Sequence, residues 1–236
     1  LWNDSFNTNK RKNTFVIMAG GQGKRLRPYT ENCPKPMIEI EGKPMLEHIL
    51  YRAKLEGFQN FIISINYLGQ IIKDYFGDGS RHNINIKYVN EDLPLGTAGS
   101  LSLLELPDEP FLVSNGDIIT DISYGNLLDF HIKHNAVATM AIKIHQWQNP
   151  FGIVSMDGIV IKGFEEKPII KSQVNAGVYA LSKDSLDSLI KNEKCDMPDL
   201  FLKLKSQKKL TIGYPIHEHW KDIGRPDDLK TFKLNS

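Results

Sequence analysis

The apolar positions of this 236-residue chain follow two rhythms. Residues 14–18, 61–65 and 111–113 are short, nearly unbroken apolar runs, the pattern of strands buried on both faces. Residues 84–89 alternate as a half-buried strand does. Between the runs the spacing changes. Met45, Leu46, Ile49, Leu50 and Ala53 recur at helical intervals across 44–56, with Pro44 at the start and Gly57 at the end. Helices are likewise predicted over 68–76, 97–105 and 123–134, followed by a strand over 137–144. The second half is richer in strands, at 151–155, 158–165, 174–181 and 210–214. Its helices are placed over 183–191, 197–206 and after Pro226. This alternation predicts an α/β fold: a single doubly wound, mostly parallel, Rossmann-like sheet with an antiparallel appendage. No repeat or low-complexity tract divides the chain. Residues 1–13, largely polar but carrying Trp2 and Phe6, read as a linker or lead-in, and 14–236 as one domain.

Ligands of such sheets bind beyond the carboxyl ends of the strands. Three segments fall there: the loop after residue 18, the turn at Asp117 and the stretch around Asp222. The first is the most informative. Residues 19–36 carry glycines at 20, 21 and 23, then Arg25, Arg27 and Lys35. Glycine allows close approach to backbone N–H groups, and the cations add fixed charge, so the loop suits a polyanion such as a nucleoside triphosphate. It is not a Walker A loop, because Met18 stands five residues before Gly23 and Arg25 follows Lys24. It is not the dinucleotide fingerprint either, because position 26 is Leu and Pro28 interrupts the expected helix.

The stretch Ala19-Gly20-Gly21-Gln22-Gly23-Lys24-Arg25-Leu26-Arg27-Pro28, with Pro34-Lys35-Pro36-Met37 and Gly42-Lys43-Pro44-Met45, resembles the signature of the sugar nucleotidylyltransferases. Its wording around 95–99 is nearest their mannose-1-phosphate guanylyltransferase-like branch. Lys24 departs from the family's usual Thr. The resemblance implies transfer of a nucleotidyl group from a triphosphate, GTP by preference, to a sugar 1-phosphate such as mannose 1-phosphate or an amino-sugar 1-phosphate. The nucleophile is already an anion, so catalysis reduces to aligning two anions and neutralising charge.

The resemblance also distributes roles. Ala19, Gly20, Gly21, Gly23, Lys24, Arg25 and Lys35 would line the phosphates, with Arg25 on the β- and γ-phosphates and Lys35 on the α-phosphate. Asp117 and Asp222 would hold Mg²⁺, which needs only one or two protein carboxylates. Asp121 is more simply the cap of the helix that follows it. Gly96, Thr97 and Ala98 would read the base, with Glu91 accepting from guanine N1 and N2. Glu166 would bind sugar hydroxyls and Lys167 the sugar phosphate, with Gly152, Asn175 and Gly177 beside the sugar. Arg25, Lys35, Asp117, Lys167 and Asp222 form the expected catalytic set. In this reading 14–236 is the nucleotidyltransferase catalytic domain.

Bulk properties narrow the setting. A net charge of +1 gives no field that would favour nucleic acid or an anionic membrane as partner. No apolar run approaches a bilayer span and no signal-peptide pattern is present. Cys33 and Cys195 read as reduced thiols of a cytoplasmic enzyme. His217, Glu218 and His219 lack a third ligand and are taken as a surface strand, and His131 with His134 as a surface pair. Two other functions stay open: the same chemistry with UTP, CTP or dTTP, and a regulatory subunit that binds nucleotide sugar without turnover. A metal-dependent glycosyltransferase is disfavoured because residues 115–117 lack an Asp-x-Asp turn. A homo-oligomer is compatible with these features. So is an upstream pair of nucleotide-sensing modules of the cystathionine-β-synthase type, since residue 1 is Leu.

Overall fold

The structure is a computed structural model that describes residues 10–233. The first nine residues of the expected lead-in, with Trp2 and Phe6, lie outside the described residues, as do 234–236. The strands are β1 (Arg11–Met18), β2 (Glu39–Ile40), β3 (Lys43–Pro44), β4 (Phe58–Ile65), β5 (Asn85–Asn90), β6 (Phe111–Asn115) and β7 (Ile118–Thr120). They continue as β8 (Ala138–Gln148), β9 (Ile153–Asp157), β10 (Val160–Glu165), β11 (Ile169–Leu181), β12 (Thr211–Ile216) and β13 (Trp220–Asp222). The α-helices are α1 (Met45–Leu55), α2 (Gly69–Phe76), α3 (Gly96–Gly99), α4 (Tyr124–Lys133), α5 (Met197–Ser206) and α6 (Pro226–Lys233).

Seven strands form one sheet in the order β12-β8-β11-β6-β1-β4-β5. β5, β4, β1 and β6 pair in parallel, as does β12 with β8, whereas β11 is antiparallel to both neighbours. The expected mostly parallel α/β sheet is therefore present. Side-chain alternation along β1 divides the core. Phe15 and Ile17 join Leu46, Leu50, Phe58, Phe61 and Leu127 on one face. Val16 joins Phe111, Val113, Tyr179, Met197 and Leu200 on the other. A third cluster of Leu26, Ile38, Met45, Ile223 and Leu229 clamps the loop after β1 to the segment after β13.

Several expected elements shift, each for a visible reason. β1 starts at Arg11, not residue 14. The Arg11 guanidinium makes a two-pronged bond to Asp129 at 2.7 and 2.8 Å, and Asn13 donates to Pro110 O at 2.7 Å. The helix expected over 97–105 is one short turn plus a 3-10 turn ending at Leu103. Its backbone is pressed against 193–195, so tightly that a Cβ on Gly99 would lie 2.7 Å from Glu193 O. The helix expected over 183–191 is a 3-10 turn over Lys183–Ser188, where Ser185 Oγ donates back to Ser182 O. Asp121 does not cap α4. Ser123 does, with Glu56 taking the next N–H groups of Tyr124 and Gly125, while Asp121 pairs with Arg52 at 3.1 Å. His217, Glu218 and His219 lie in an exposed turn between β12 and β13 rather than on a strand. No helix among the described residues is long and apolar enough to cross a membrane.

His131 is not a surface residue. It is buried, with Nδ1 2.8 Å from Thr139 Oγ1 and Nε2 3.0 Å from Ser182 Oγ. Burial pushes its pKa down to about 4, against 6.5 when solvated. Between those values the unfolded chain takes up a proton that the folded ring refuses. Stability from this group is thus complete above pH 6.5 and falls as pH drops towards 4, by up to about 3 kcal/mol. Urea titrations across that window should show the decline in the native chain and a flatter profile in His131→Gln.

Candidate active site

The loop after β1 is rigid where it is buried and free where it is charged. Ala19 is buried and its N–H donates to Ser64 O at 2.8 Å. Gly23 sits at φ +60°, and a Cβ there would come within 2.9 Å of Thr30 Cγ2. Thr30 Oγ1 in turn donates to Gly23 O at 2.9 Å. Leu26 is fully buried and anchors a 3-10 turn over Lys24–Leu26. Lys24, Arg25 and Arg27 are exposed and, among the described residues, form no ion pair. Lys35 differs: it is buried at the start of a second 3-10 turn, Lys35–Met37.

The two acidic residues meet Lys35 because of strand pairing. β6 ends at Asn115, and Gly116 N–H donates to Met18 O at 2.9 Å, which fixes the turn into Asp117. β13 then runs antiparallel to β7, with Asp222 opposite Ile118, and Ile223 N–H donates to Asp117 O at 3.1 Å. Residues more than 100 positions apart are thereby neighbours. Lys35 Nζ donates to Asp117 Oδ2 and lies 4.0 Å from Asp222 Oδ1. The Asp222 pKa is raised, first by burial and then by the Asp117 charge, while Lys35 and Arg25 pull it back down. Asp117 and Asp222 are the two carboxylates here that could hold a hard divalent cation. No group of three or more His, Cys, Asp or Glu is arranged for a metal among the described residues. A pair of carboxylates fits Mg²⁺, which keeps most of its waters, better than it fits zinc.

Beside this pair is a cleft of about 230 Å³ lined by Gly20, Gly21, Glu91, Gly96, Thr97, Asn115 and Asp117, among others. Both Glu91 carboxylate oxygens are engaged, Oε1 by Ser64 Oγ at 2.6 Å and Oε2 by Leu95 N–H at 3.1 Å. Gly96 is held at φ +78°, where a Cβ would meet Asp196 Oδ1 at 2.6 Å and Cys195 O at 2.7 Å. The close approach that requires glycine here is to the chain itself. Thr97 N–H donates to Asp196 Oδ1, and Ala98 N–H to Cys195 O. Ala98 is fully buried and does not line the cleft, nor does Ala19. Asn115 is the residue that sequence reasoning missed. It lines the cleft, and its buried Oδ1 has no hydrogen-bond partner. The only hint in the sequence was its place two residues before Asp117 at a strand end.

The residues expected near the sugar form a second group. A Cβ on Gly152 would come within 2.9 Å of Glu166 Oε2, and Lys167 Nζ lies 4.0 Å from Glu166 Oε1. Lys167 sits at φ +45°, its carbonyl accepting from Gln148 Nε2 at 3.2 Å. Asn175 donates to Tyr179 OH at 2.7 Å and accepts from Gly177 N–H at 2.9 Å. Gly177, at φ +72°, packs under the acidic turn, where a Cβ would be 2.9 Å from Asn115 Nδ2. The fold thus joins Lys35, Asp117 and Asp222, sets the Arg25 charge near Asp222, and leaves Lys167 paired with Glu166.

A model of the nucleotidyl transferase family matches residues 14–235. Mannose-1-phosphate guanylyltransferase of Mycobacterium tuberculosis is 32% identical, over 91% of this chain and 62% of that protein. Mannose-1-phosphate guanyltransferase of Yarrowia lipolytica is 33% identical, over 91% and 61%. The chain therefore spans about three fifths of the length of these curated relatives. Among solved structures, HddC from Yersinia pseudotuberculosis complexed with GMP-PN superposes with a TM-score of 0.73 at 23% identity, covering 94% of this chain and 99% of that one. A UDP-glucose pyrophosphorylase complexed with UDP-glucose gives 0.71 at 19% identity, covering 94% and 97%. Both likenesses are of fold.

Two glycines of the cleft should respond oppositely to substitution. Gly96→Ala meets a positive φ and two oxygen atoms, and should cost about 2 kcal/mol or more in chemical denaturation. Gly21→Ala has open space around the added methyl and should change stability by less than about 0.5 kcal/mol.

Proposed function

Because the chain belongs to the nucleotidyl transferase family, we propose that it transfers a nucleotidyl group from a nucleoside triphosphate to a sugar 1-phosphate. The observation that carries this reading is the Lys35–Asp117–Asp222 cluster at the rim of the glycine loop. An oxygen of the sugar phosphate attacks the α-phosphorus, the α–β phosphoanhydride bond breaks, and pyrophosphate leaves with its electron pair. No proton has to be removed from the nucleophile, so no general base is required. The task left to the protein is to hold two anions in line.

In this reading the backbone N–H groups of Gly20 and Gly21 and the side chains of Lys24 and Arg25 bind the β- and γ-phosphates. Lys35 turns from Asp117 to the α-phosphate and steadies the charge that gathers there. Lys167 holds the sugar phosphate, and Glu166, Gly152, Asn175 and Gly177 shape the sugar pocket. Asp117 and Asp222 would hold Mg²⁺, which when bound neutralises phosphate charge and favours the leaving pyrophosphate. Glu91, Gly96 and Thr97 border the base, with Ala19 and Ala98 supporting the backbone behind them.

GTP is the proposed donor and mannose 1-phosphate, or an amino-sugar 1-phosphate, the proposed acceptor. The names of the similar proteins support this choice. So does Glu91, whose oxygens each keep a second lone pair for guanine N1 and N2 donors. The cytoplasm, where triphosphates are made, is the proposed compartment, and residues 14–236 the proposed catalytic domain. A relative in Drosophila melanogaster is named as a catalytic subunit. Control of this chain by another subunit or module is part of the same proposal.

Pyrophosphate release should require a divalent cation and be fastest with GTP in a panel of four triphosphates. Asp117→Asn and Asp222→Asn should each lower turnover by about 100-fold or more with the fold retained by circular dichroism. Lys167→Ala should act mainly on KM for the sugar phosphate. Full turnover by either aspartate variant would end the metal assignment, and the absence of turnover with every triphosphate and sugar phosphate would favour a binding subunit.

A further inference from the structure

Asn115 is the last residue of β6 and stands opposite Met18 in the parallel ladder with β1. Its backbone is pinned. Ser114 Oγ donates to Asn115 O at 3.0 Å, and the next N–H, that of Gly116, is held by Met18 O at 2.9 Å. The side-chain oxygen has no such anchor. The carboxamide borders the cleft with Gly20, Gly21, Gly96, Thr97 and Asp117, and its buried Oδ1 meets no donor from the protein. Nδ2 lies against Gly177, where a Cβ would come within 2.9 Å of it. One carboxamide therefore sits between the cleft and the strand expected beside the sugar. Asn175, on that strand, is engaged differently. Its Nδ2 donates to Tyr179 OH and its Oδ1 accepts from Gly177 N–H, bonds that hold the bend at Gly177. Both ends of Asn175 are thus used within the chain, whereas the Asn115 oxygen is not.

A buried acceptor without a donor is destabilising, and buried polar atoms are as a rule paired. We propose that Asn115 is a specificity-determining residue of the transfer reaction, its carboxamide oxygen accepting a hydrogen bond from a substrate hydroxyl. The inference rests on the nucleotidyl-transfer reading of this site. Rotation about the Cβ–Cγ bond, a broad torsion in asparagine, turns the oxygen towards the cleft. The charge and the place of the residue both fit a hydroxyl. An amide is neutral, so it reads polarity beside Asp117 and Asp222 without adding negative charge where two phosphates must meet. Asn115 also lines the cleft together with Asp117, two residues on. The substrate groups attached close to the reacting phosphates are the ribose of the triphosphate and the sugar ring next to C1. Both carry hydroxyls, which donate and accept as a carboxamide does. A site that pairs with a hydroxyl strongly rejects the analogue lacking it, because its own polar group is then left unpaired.

Deoxy substrates test the proposal. kcat/KM is measured for the native chain, Asn115→Ala and Asn115→Leu with GTP, 2′-deoxy-GTP and 3′-deoxy-GTP, and with mannose 1-phosphate and its 2-deoxy form. The native chain should use one of the three deoxy compounds roughly 10-fold or more less well than its parent. Both variants should use that compound and its parent about equally, since they lose only the parent's advantage. The 2′ and 3′ arms assign the hydroxyl to the ribose, and the 2-deoxy arm assigns it to the sugar. Asn115→Ser takes the place of the apolar variants should neither fold. A residue that is merely structural would slow parent and analogue alike, and unchanged ratios in the variants overturn the proposal. A native chain indifferent to all three hydroxyls does so too. No turnover by the native chain with any pair is failure of the transfer reading itself. The same ratios are then taken from Kd values by calorimetry, where equal binding of parent and deoxy compounds overturns the hydroxyl contact and a loss confined to one of them upholds it.

Discussion

The structure turns on one electrostatic arrangement: two carboxylates forced together with one ammonium between them. Asp117 and Asp222 repel, and that repulsion, added to burial, lifts the Asp222 pKa. Covalent proximity does not hold them. The β7–β13 ladder does, with the Ile223 N–H on Asp117 O locking the register. Beneath the ladder, Ile223 packs in the same cluster as Leu26, Ile38 and Met45. The apolar cluster that immobilises the glycine loop is therefore also the one that immobilises the acids. Moving either would expose the same buried surface, so loop and acids behave as one unit.

Fixed and free groups are divided with a clear logic. The acids and Lys35 are tied down, as a site needs when charge must be met without reorganisation. Lys24 and Arg25 remain solvated. The cleft wall is stiffened from behind: Asp196 and Cys195 take the N–H groups of Thr97 and Ala98, and Ser64 braces Glu91. The segment 195–197 thus builds the floor of a cleft it does not line. Within that stiff wall Asn115 Oδ1 is the buried acceptor left without a partner.

Beyond the buried core the sheet changes character. β8 and β11 run on together past the core, pairing as far as Ile169 with Gln148. This ribbon carries the β9–β10 hairpin and the Glu166–Lys167 pair at its end. Glu166 and Lys167 therefore stand on an exposed part of the fold, whereas Lys35 is buried against its core.

The sequence alone determined the layered α/β architecture, because buried strands and amphipathic helices write their periods directly into residue order. It also singled out the glycine loop, Lys35 and the two aspartates through a family motif, and the fold brings Lys35, Asp117 and Asp222 together. α5 was legible to the residue, since its apolar face meets the core as its period demands. Where a backbone neighbour from far along the chain intervenes, the reading failed: 97–105 looked helical, but 193–195 press on it. His131 looked like a surface residue because helical spacing cannot say which side chain a β-strand and a distant serine will enclose. Only the tertiary structure paired Asp117 with Asp222, spent Asn175 on Tyr179, and turned Ile161 and Phe164 to one side through an inserted residue. The first is a contact between segments remote in sequence, and the other two come from register shifts in the β8–β11 and β9–β10 ladders; local periodicity carries no record of either.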